Sequence, residues 1–264
     1  MERADARTSL VPLTAPFRIT AGFATFLGVV AACLLSMGVY ALQGGRRDAD
    51  QEGKGGQFLL GPGAFLLHWF MWAIGPLVNL SLRLGLTPDF YNFAGLALGL
   101  GSGVLIALGR LELGGWAIAF CGVADILDGR IARLTGVASD YGEFIDSTFD
   151  RFVEVAAFLG FAIYLRASAH GPFLAGAAMA GSLLVSYARA RGEVLGVVCT
   201  GGLMQRGERL VLTCLVCLVD PAVTAWLGRP PGTLALWMLG LIASTTFATA
   251  VYRTIWIAGR LRSG

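Results

Sequence analysis

Charged side chains are scarce in this sequence. Only 14% of its 264 residues are Asp, Glu, Lys or Arg, 56% are hydrophobic, and the mean hydropathy is +0.69. A soluble domain of this length carries nearer a quarter charged residues, so the composition excludes an ordinary soluble protein. We predict an all-α polytopic membrane protein that forms one domain.

Lysine is nearly absent, and the basic residues form no block. Lys54 is the single lysine among 20 basic residues, and the formal net charge is only +3. Because a nucleic-acid partner requires clustered basic residues, the sequence predicts no nucleic-acid binding. The five cysteines, an odd number, lack the paired spacing of a zinc site, and we interpret them as reduced, buried small hydrophobes.

Long apolar runs, by contrast, are abundant. Residues 19–45 carry no charge, and this run can cross about 30 Å of hydrocarbon at ~1.5 Å per residue. It is too long for a signal-peptide core and lacks a strongly basic start, so we predict an extra transmembrane helix. Residues 1–18 form a polar tail, residues 46–57 a hydrophilic linker, and residues 58–264 the membrane domain.

The first part of that domain, residues 58–83, has two possible placements. It is apolar, but Pro62 and Pro76 interrupt it, and Trp69 and Trp72 are typical of a membrane interface. We favour a helix that lies along the membrane surface, with a membrane-spanning helix as the alternative.

Beyond residue 87 the apolar runs predict a core of six transmembrane helices, the fifth of which, residues 210–227, is expected to be broken at Asp220 and Pro221. One run, residues 113–124, has only 12 uncharged positions, or about 18 Å of helix. It crosses the bilayer only if the helix continues through the aspartates that follow. The run 142–165 likewise spans only if its first turns carry two more aspartates. These carboxylates are therefore expected within or at the edge of the membrane, where ionisable groups are costly and usually functional.

The four aspartates form two pairs at helical spacing. Asp125 and Asp128 are i, i+3 neighbours, and Asp146 and Asp150 are i, i+4 neighbours, so each pair shares a helix face. Brought together, the two faces make an all-oxygen pocket suited to Mg²⁺ or Mn²⁺. The alternative is a set of loop acids solvated at a membrane edge, which four acids at this spacing disfavour.

The arginines near the predicted helix ends are unevenly distributed. One membrane face carries nine of them, including Arg130 and Arg206, and the other carries three. By the positive-inside tendency the first face, which also holds the aspartates, is cytoplasmic. We predict an integral protein of the bacterial inner membrane whose site faces the cytoplasm.

The order D-x2-D-G-x2-A-R-x8-G-x3-D-x3-D resembles the signature of the CDP-alcohol phosphotransferases. Its eight fixed positions are filled by Asp125, Asp128, Gly129, Ala132, Arg133, Gly142, Asp146 and Asp150. The resemblance implies a membrane enzyme of phospholipid biosynthesis, which transfers a phosphatidyl group from CDP-diacylglycerol to an alcohol and releases CMP. It also implies an interfacial helix before the core and a homodimer.

The resemblance assigns roles to the motif. It implies two Mg²⁺ or Mn²⁺ ions held by Asp125, Asp128, Asp146 and Asp150, with Asp150 as the general base. The residues expected to bind CDP are Asp125, Gly129, Ala132, Arg133, Gly142 and Asp146. Small residues at 129 and 132 would let cytosine pack against the backbone, although they also suit helix packing. Asp89 and Asn92 stand where the family often carries Asn and Thr.

The acceptor side resembles the bacterial phosphatidylinositol-phosphate synthases of this family. That likeness implies that Ser186, Arg189 and Arg209 hold the phosphate of inositol phosphate. Phosphatidylglycerophosphate synthases also need basic residues for an anionic acceptor, and inositol, serine and choline are further alternatives. These arginines could instead be loop residues that follow the positive-inside bias.

Two other classes are open. Intramembrane carboxylates also occur in cation transporters, but here they cluster at one membrane face and no second acidic half is present. A catalytically dead scaffold would keep the fold, but the intact motif disfavours it.

Overall fold

The protein is all-helical in the residues that a computed structural model describes, 20–44 and 63–263. The helices of this part of the chain are α1 (Ala21–Leu42), α2 (Gly63–Arg83), α3 (Pro88–Ala107), α4 (Leu111–Thr135), α5 (Asp140–Tyr164), α6 (Gly171–Val194), α7 (Arg206–Trp226) and α8 (Thr233–Ser263). The predicted fold class, a six-helix core preceded by one helix and an extra N-terminal helix, is confirmed. The predicted tail 1–18 and linker 46–57 lie outside the described residues.

Six of these helices are long and apolar enough to cross a membrane, namely α1, α2, α3, α6, α7 and α8. The other two, α4 and α5, have 25 residues each and carry the four motif aspartates. At ~1.5 Å per residue, 25 residues reach about 37 Å. Both short apolar runs therefore continue as helix through their aspartates, as predicted.

Close helix contacts hold α3 beside α5. A Cβ built on Gly103 would lie 2.6 Å from the backbone carbonyl carbon of Ala156, and one built on Gly160 would lie 3.1 Å from that of Gly103. Any larger side chain at these glycines would push the two helices apart. Since α3 also packs against α4, this contact helps to set the α5 aspartates against those of α4.

Helix α2 packs against one region of the core, formed by α3 and α4. Its buried side chains Met71, Ile74 and Val78 form a cluster with α3 and α4. The α4 members of that cluster are Ala124, Leu127 and Ile131, which belong to the turns that carry Asp125 and Asp128. A cluster confined to these turns favours a surface helix, whereas the length and composition of α2 also permit a span. Its membrane placement stays a prediction.

Helix α1 is attached to the core near both ends. Thr20, just before α1, hydrogen-bonds to Glu112 at the start of α4. Near the other end, the Tyr40 ring centroid lies 5.6 Å from those of Phe65 and Trp72 on α2. Because Glu112 lies at the end of α4 remote from its aspartates, α1 runs toward the face that carries the motif.

A helix interruption predicted at Asp220 and Pro221 is not present. Helix α7 continues through Pro221, and the carboxylate of fully buried Asp220 reaches out to the next helix. It accepts hydrogen bonds from the backbone N–H groups of Gly232 and Leu234, both at 2.8 Å, and of Ala235 at 3.2 Å. These N–H groups at the start of α8 have no partner within their helix. Asp220 therefore caps α8.

Candidate active site

Three of the four motif carboxylates meet where α4 faces α5. Asp125, Asp146 and Asp150 each offer one oxygen, and these three oxygens lie within 4.8 Å of one another. The start of α5 is fixed by Ser139, whose Oγ accepts the N–H of Gly142 at 3.3 Å. The meeting of two acidic helix faces is the arrangement that the spacing predicts.

Asp128 lies outside that group of three. It is buried, with 5% of its surface exposed, and its Oδ1 accepts the N–H of Gly129 at 2.5 Å. It nevertheless lines the same cavity as Asp125 and Asp146. A role for Asp128 as a metal ligand stays a prediction.

An open cavity of about 830 Å³ adjoins the carboxylates. It is lined by all the residues expected to bind CDP, which are Asp125, Gly129, Ala132, Arg133, Gly142 and Asp146. Asp89 and Asn92 of α3 also line it. A Cβ on Gly129 would approach the Arg133 guanidinium at 3.3 Å and, among the described residues, would touch no other helix. Helix packing thus does not explain this glycine, and an open cavity wall does.

Arg206 is a site residue that sequence reasoning missed. At the first position of α7, its Nη2 donates to Asp150 Oδ1 and its Nη1 lies 3.5 Å from Asp125 Oδ1. A second cation, Arg151, lies 3.8 Å from Asp150. The sequence contains one indication of this role: Arg206 and Arg209 are i, i+3 neighbours at a helix start, so they share a helix face.

A second, small cavity of about 30 Å³ lies behind the carboxylates, between α5 and α7. Its lining includes Asp150, Glu154, Arg206 and Arg209. Arg209 is only 2% exposed, and its Nε donates to Glu154 Oε1 at 2.6 Å. Asp150 therefore lies between the acidic cluster and a buried arginine.

Comparison with known proteins decides between the possible classes. Residues 86–219, about half of the chain, match the family described as CDP-alcohol phosphatidyltransferase. The chain belongs to this family. A phosphatidylinositol phosphate synthase of Mycolicibacterium smegmatis is 33% identical over 184 residues, which cover 67% of this chain and 81% of that protein.

Solved structures of the Mycobacterium tuberculosis phosphatidylinositol phosphate synthase are similar to this CDP-alcohol phosphatidyltransferase. The structure with CDP-DAG bound is 28% identical, has a TM-score of 0.59, and covers 69% of this chain and 92% of its own. The complex with manganese and citrate is 27% identical, has a TM-score of 0.61, and covers 69% and 87%. The chain is thus a transferase and an integral membrane protein.

The residues predicted to bind the acceptor lie on two helices of this phosphatidyltransferase. Arg209 of α7 lines the small cavity, whereas Ser186 and Arg189 of α6 lie outside both cavities in the described part of the chain. Ser186 donates to the Ser182 carbonyl at 3.1 Å, and Arg189 pairs with Glu193 at 2.8 Å.

A third arginine, Arg253 of α8, joins this helix to α6 and to the segment that precedes α7. It is 5% exposed and donates to the carbonyl oxygens of Gly201 at 2.9 Å and Val185 at 3.0 Å. Arg253 thereby holds the turn of α6 that carries Ser186. The sequence contains one indication that Arg253 has a specific role, because it is a charged residue directly after the uncharged residues 233–252.

Proposed function

We propose that the protein transfers the phosphatidyl group of CDP-diacylglycerol to a phosphorylated alcohol, with inositol phosphate favoured, and releases CMP. The observation that carries this proposal is the group of three carboxylates within 4.8 Å, two of which, Asp125 and Asp146, line a large cavity together with other residues of the family motif. The relative with bound CDP-DAG supports the donor, and the similar synthases support the acceptor.

The carboxylates fit divalent cations. Asp125, Asp146 and Asp150 supply oxygen atoms from two helices, and oxygen is the donor that Mg²⁺ and Mn²⁺ prefer. Asp128, which lines the large cavity together with Asp125 and Asp146, would complete a set of four ligands for two ions. When bound, the ions would neutralise charge on the diphosphate. The manganese complex of the relative agrees with this cofactor class.

The cavity residues suit the CDP part of the donor. Gly129 and Ala132 leave the wall of α4 without bulky side chains, so a flat base can approach the backbone. Arg133 lines the same cavity, and its guanidinium would donate charge-assisted hydrogen bonds to the diphosphate.

Asp150 is our candidate for the general base. The acceptor hydroxyl oxygen attacks the phosphorus that carries the diacylglycerol, and its proton passes to an Asp150 oxygen. The bond from that phosphorus to the CMP oxygen breaks, and CMP leaves with the bonding electron pair. Asp150 belongs to the acidic group and also lines the Arg209 cavity, so it lies between the donor side and the acceptor side.

The three arginines of α6, α7 and α8 favour an anionic acceptor. Arg189 pairs with Glu193 and Arg209 with Glu154, whereas Arg253 donates only to carbonyl oxygens among the described residues. In these contacts three guanidinium charges are matched by two carboxylates. The remaining positive charge suits a phosphate, which favours inositol phosphate or glycerol phosphate over inositol, serine or choline. Ser186, next to the Val185 carbonyl that Arg253 holds, stays a further candidate contact.

We also propose that the site faces the cytoplasm from the bacterial inner membrane. The arginine distribution supports this orientation, and it predicts an external N-terminus, because α1 runs toward the face of the motif. A homodimer is a further expectation from the family resemblance.

The function is tested by CMP release from purified protein in lipid nanodiscs. CDP-diacylglycerol is supplied with Mg²⁺ or Mn²⁺ and, in separate reactions, with inositol phosphate, glycerol phosphate, inositol, serine or choline. We expect release with inositol phosphate at a rate at least about tenfold above that with inositol, and none in EDTA. A preference for glycerol phosphate would keep the anionic acceptor but change its identity. No CDP-dependent release with any acceptor would contradict the proposal.

A further inference from the structure

Arg206 lies between two helices that supply the carboxylates. Its Nη2 donates to Asp150 on α5, and its Nη1 lies 3.5 Å from Asp125 on α4. Because the guanidinium has two terminal nitrogens in a rigid fork, it reaches both carboxylates at once. It thereby joins three helices, α4, α5 and α7.

The same carboxylates belong to the group that fits a metal ion. Asp125 and Asp150, with Asp146, have oxygens within 4.8 Å of one another. A divalent cation held by these oxygens would lie within a few ångströms of a guanidinium that keeps the contacts of Arg206. At such separations like charges repel strongly in a partly buried site. The guanidinium and the cation therefore compete for the two carboxylates.

The backbone of Arg206 is held in place, so only its side chain would move if a cation took the two carboxylates. The preceding residue, Gln205, forms a reciprocal capping box with Glu208, and its N–H donates to Glu208 Oε2 at 2.9 Å. One turn later, Arg209 is buried and paired with Glu154. The Arg206 side chain itself is 28% exposed, which leaves room for it to turn toward the open side.

We propose that Arg206 is an internal competitor for the metal-binding carboxylates, and that an anionic phosphate group accepts the guanidinium when a divalent cation displaces it. This inference rests on the proposed metal-dependent function. Metal and phosphate then favour each other's binding. The cation frees the Arg206 guanidinium for the phosphate, and the phosphate pairs with the guanidinium that the cation displaces from the carboxylates. Such coupling is reciprocal between the two ligands.

Mn²⁺ binding to purified protein, followed by the electron paramagnetic resonance of free Mn²⁺, tests the proposal without turnover. The proteins compared are the wild type, Arg206→Gln and the control Arg151→Gln. The control removes the same charge next to Asp150, but among the described residues Arg151 forms an ion pair with that carboxylate alone, at 3.8 Å. Each is titrated without an anion, with CDP and with inorganic phosphate, so that the two arms distinguish a diphosphate from a free phosphate as the partner.

Without an anion, Arg206→Gln should bind Mn²⁺ about tenfold more tightly than the wild type, and Arg151→Gln less than about threefold more tightly. At least one anion should tighten Mn²⁺ binding to the wild type, and Arg206→Gln should lose most of that gain. A folded Arg206→Gln protein with wild-type or weaker affinity would overturn the inference. The inference would also be overturned if an anion increased the Mn²⁺ affinity of the wild type and of Arg206→Gln by the same factor.

Two further variants keep the test decisive. If Arg206→Gln does not fold, Arg206→Lys retains the charge but loses the fork that spans both carboxylates. It should bind Mn²⁺ severalfold more tightly than the wild type, and equal or weaker binding would count against the inference. Asp146→Asn separates the two proposals. If the wild type binds no more Mn²⁺ than Asp146→Asn does, the metal site of the proposed function fails, and the Arg206 inference fails with it.

Discussion

Arg209 combines a structural role with a proposed role in binding, and paired substitutions can separate them. In Arg209→Gln, the Glu154 carboxylate keeps its buried position but loses the partner that lies 2.6 Å from its Oε1. Removing one partner of a buried ion pair costs about 3–5 kcal/mol. For a domain of about this size that lowers the melting temperature by roughly 6–20 °C. The phosphate contact of the acceptor is lost as well.

The second substitution, Glu154→Gln, removes the unpaired charge. The double variant Arg209→Gln/Glu154→Gln should recover most of the melting temperature, because two neutral amides replace the ion pair. It should not recover acceptor binding. A charge-assisted hydrogen bond contributes ~1.5–3 kcal/mol, so the KM for inositol phosphate should stay raised by roughly 10- to 100-fold in both variants.

The assays are thermal unfolding in detergent and initial rates of CMP release at saturating CDP-diacylglycerol. Glu154→Gln alone serves as the control, since it keeps the Arg209 cation and should change the acceptor KM by less than about threefold. A double variant that regains the wild-type KM together with its stability would contradict a role for Arg209 in acceptor binding. In that case Arg209 would serve the fold alone.

Three further predictions concern the base, a helix cap and the extra helix. Asp150→Asn should lower kcat by at least about 10²-fold while CDP-diacylglycerol binding stays largely intact, because the amide cannot accept the hydroxyl proton; retention of more than about a tenth of the rate would exclude Asp150 as the base. Asp220→Ala should lower the melting temperature, since three N–H groups of α8 lose their acceptor, at ~1–3 kcal/mol for each buried group left unsatisfied; the rate per folded molecule should stay near that of the wild type, and a loss of rate without a loss of stability would contradict the capping role. A chain that starts at Gly56 should keep its activity per folded molecule but melt at a lower temperature, because Thr20 and Tyr40 no longer contact Glu112 and α2; a folded but inactive protein would place α1 in the catalytic unit.

The catalytic motif could be predicted from the sequence because its geometry is local. Asp125 and Asp128 share one helix, as do Asp146 and Asp150, and helical spacing determines which face each pair occupies. The lengths of the apolar runs then require both helices to continue through the acids. The fold class follows from these relations within single helices, whereas the family and the residues expected to bind CDP follow from the resemblance of the motif to that of the CDP-alcohol phosphotransferases.

The residues that the sequence did not reveal act between helices. Arg206 reaches α4 and α5 from the start of α7, and Arg253 reaches the α6–α7 region from α8. No periodicity within one helix predicts such contacts. Asp220 shows the converse: next to a proline it predicted a break, whereas the structure uses its carboxylate to cap the following helix.

In the proposed reaction, the carboxylates of α4 and α5 promote transfer of a lipid-linked phosphate from CMP to a phosphorylated alcohol. The most direct measurement uses CDP-diacylglycerol labelled with ³²P at the phosphorus next to the diacylglycerol, mixed with excess enzyme, Mg²⁺ and inositol phosphate in a single turnover. We expect the label to stay with the lipid, in a product that also contains inositol phosphate, while unlabelled CMP appears at the same rate. Label released in CDP or as free phosphate, or no transfer in folded protein with any phosphorylated alcohol, would contradict the account.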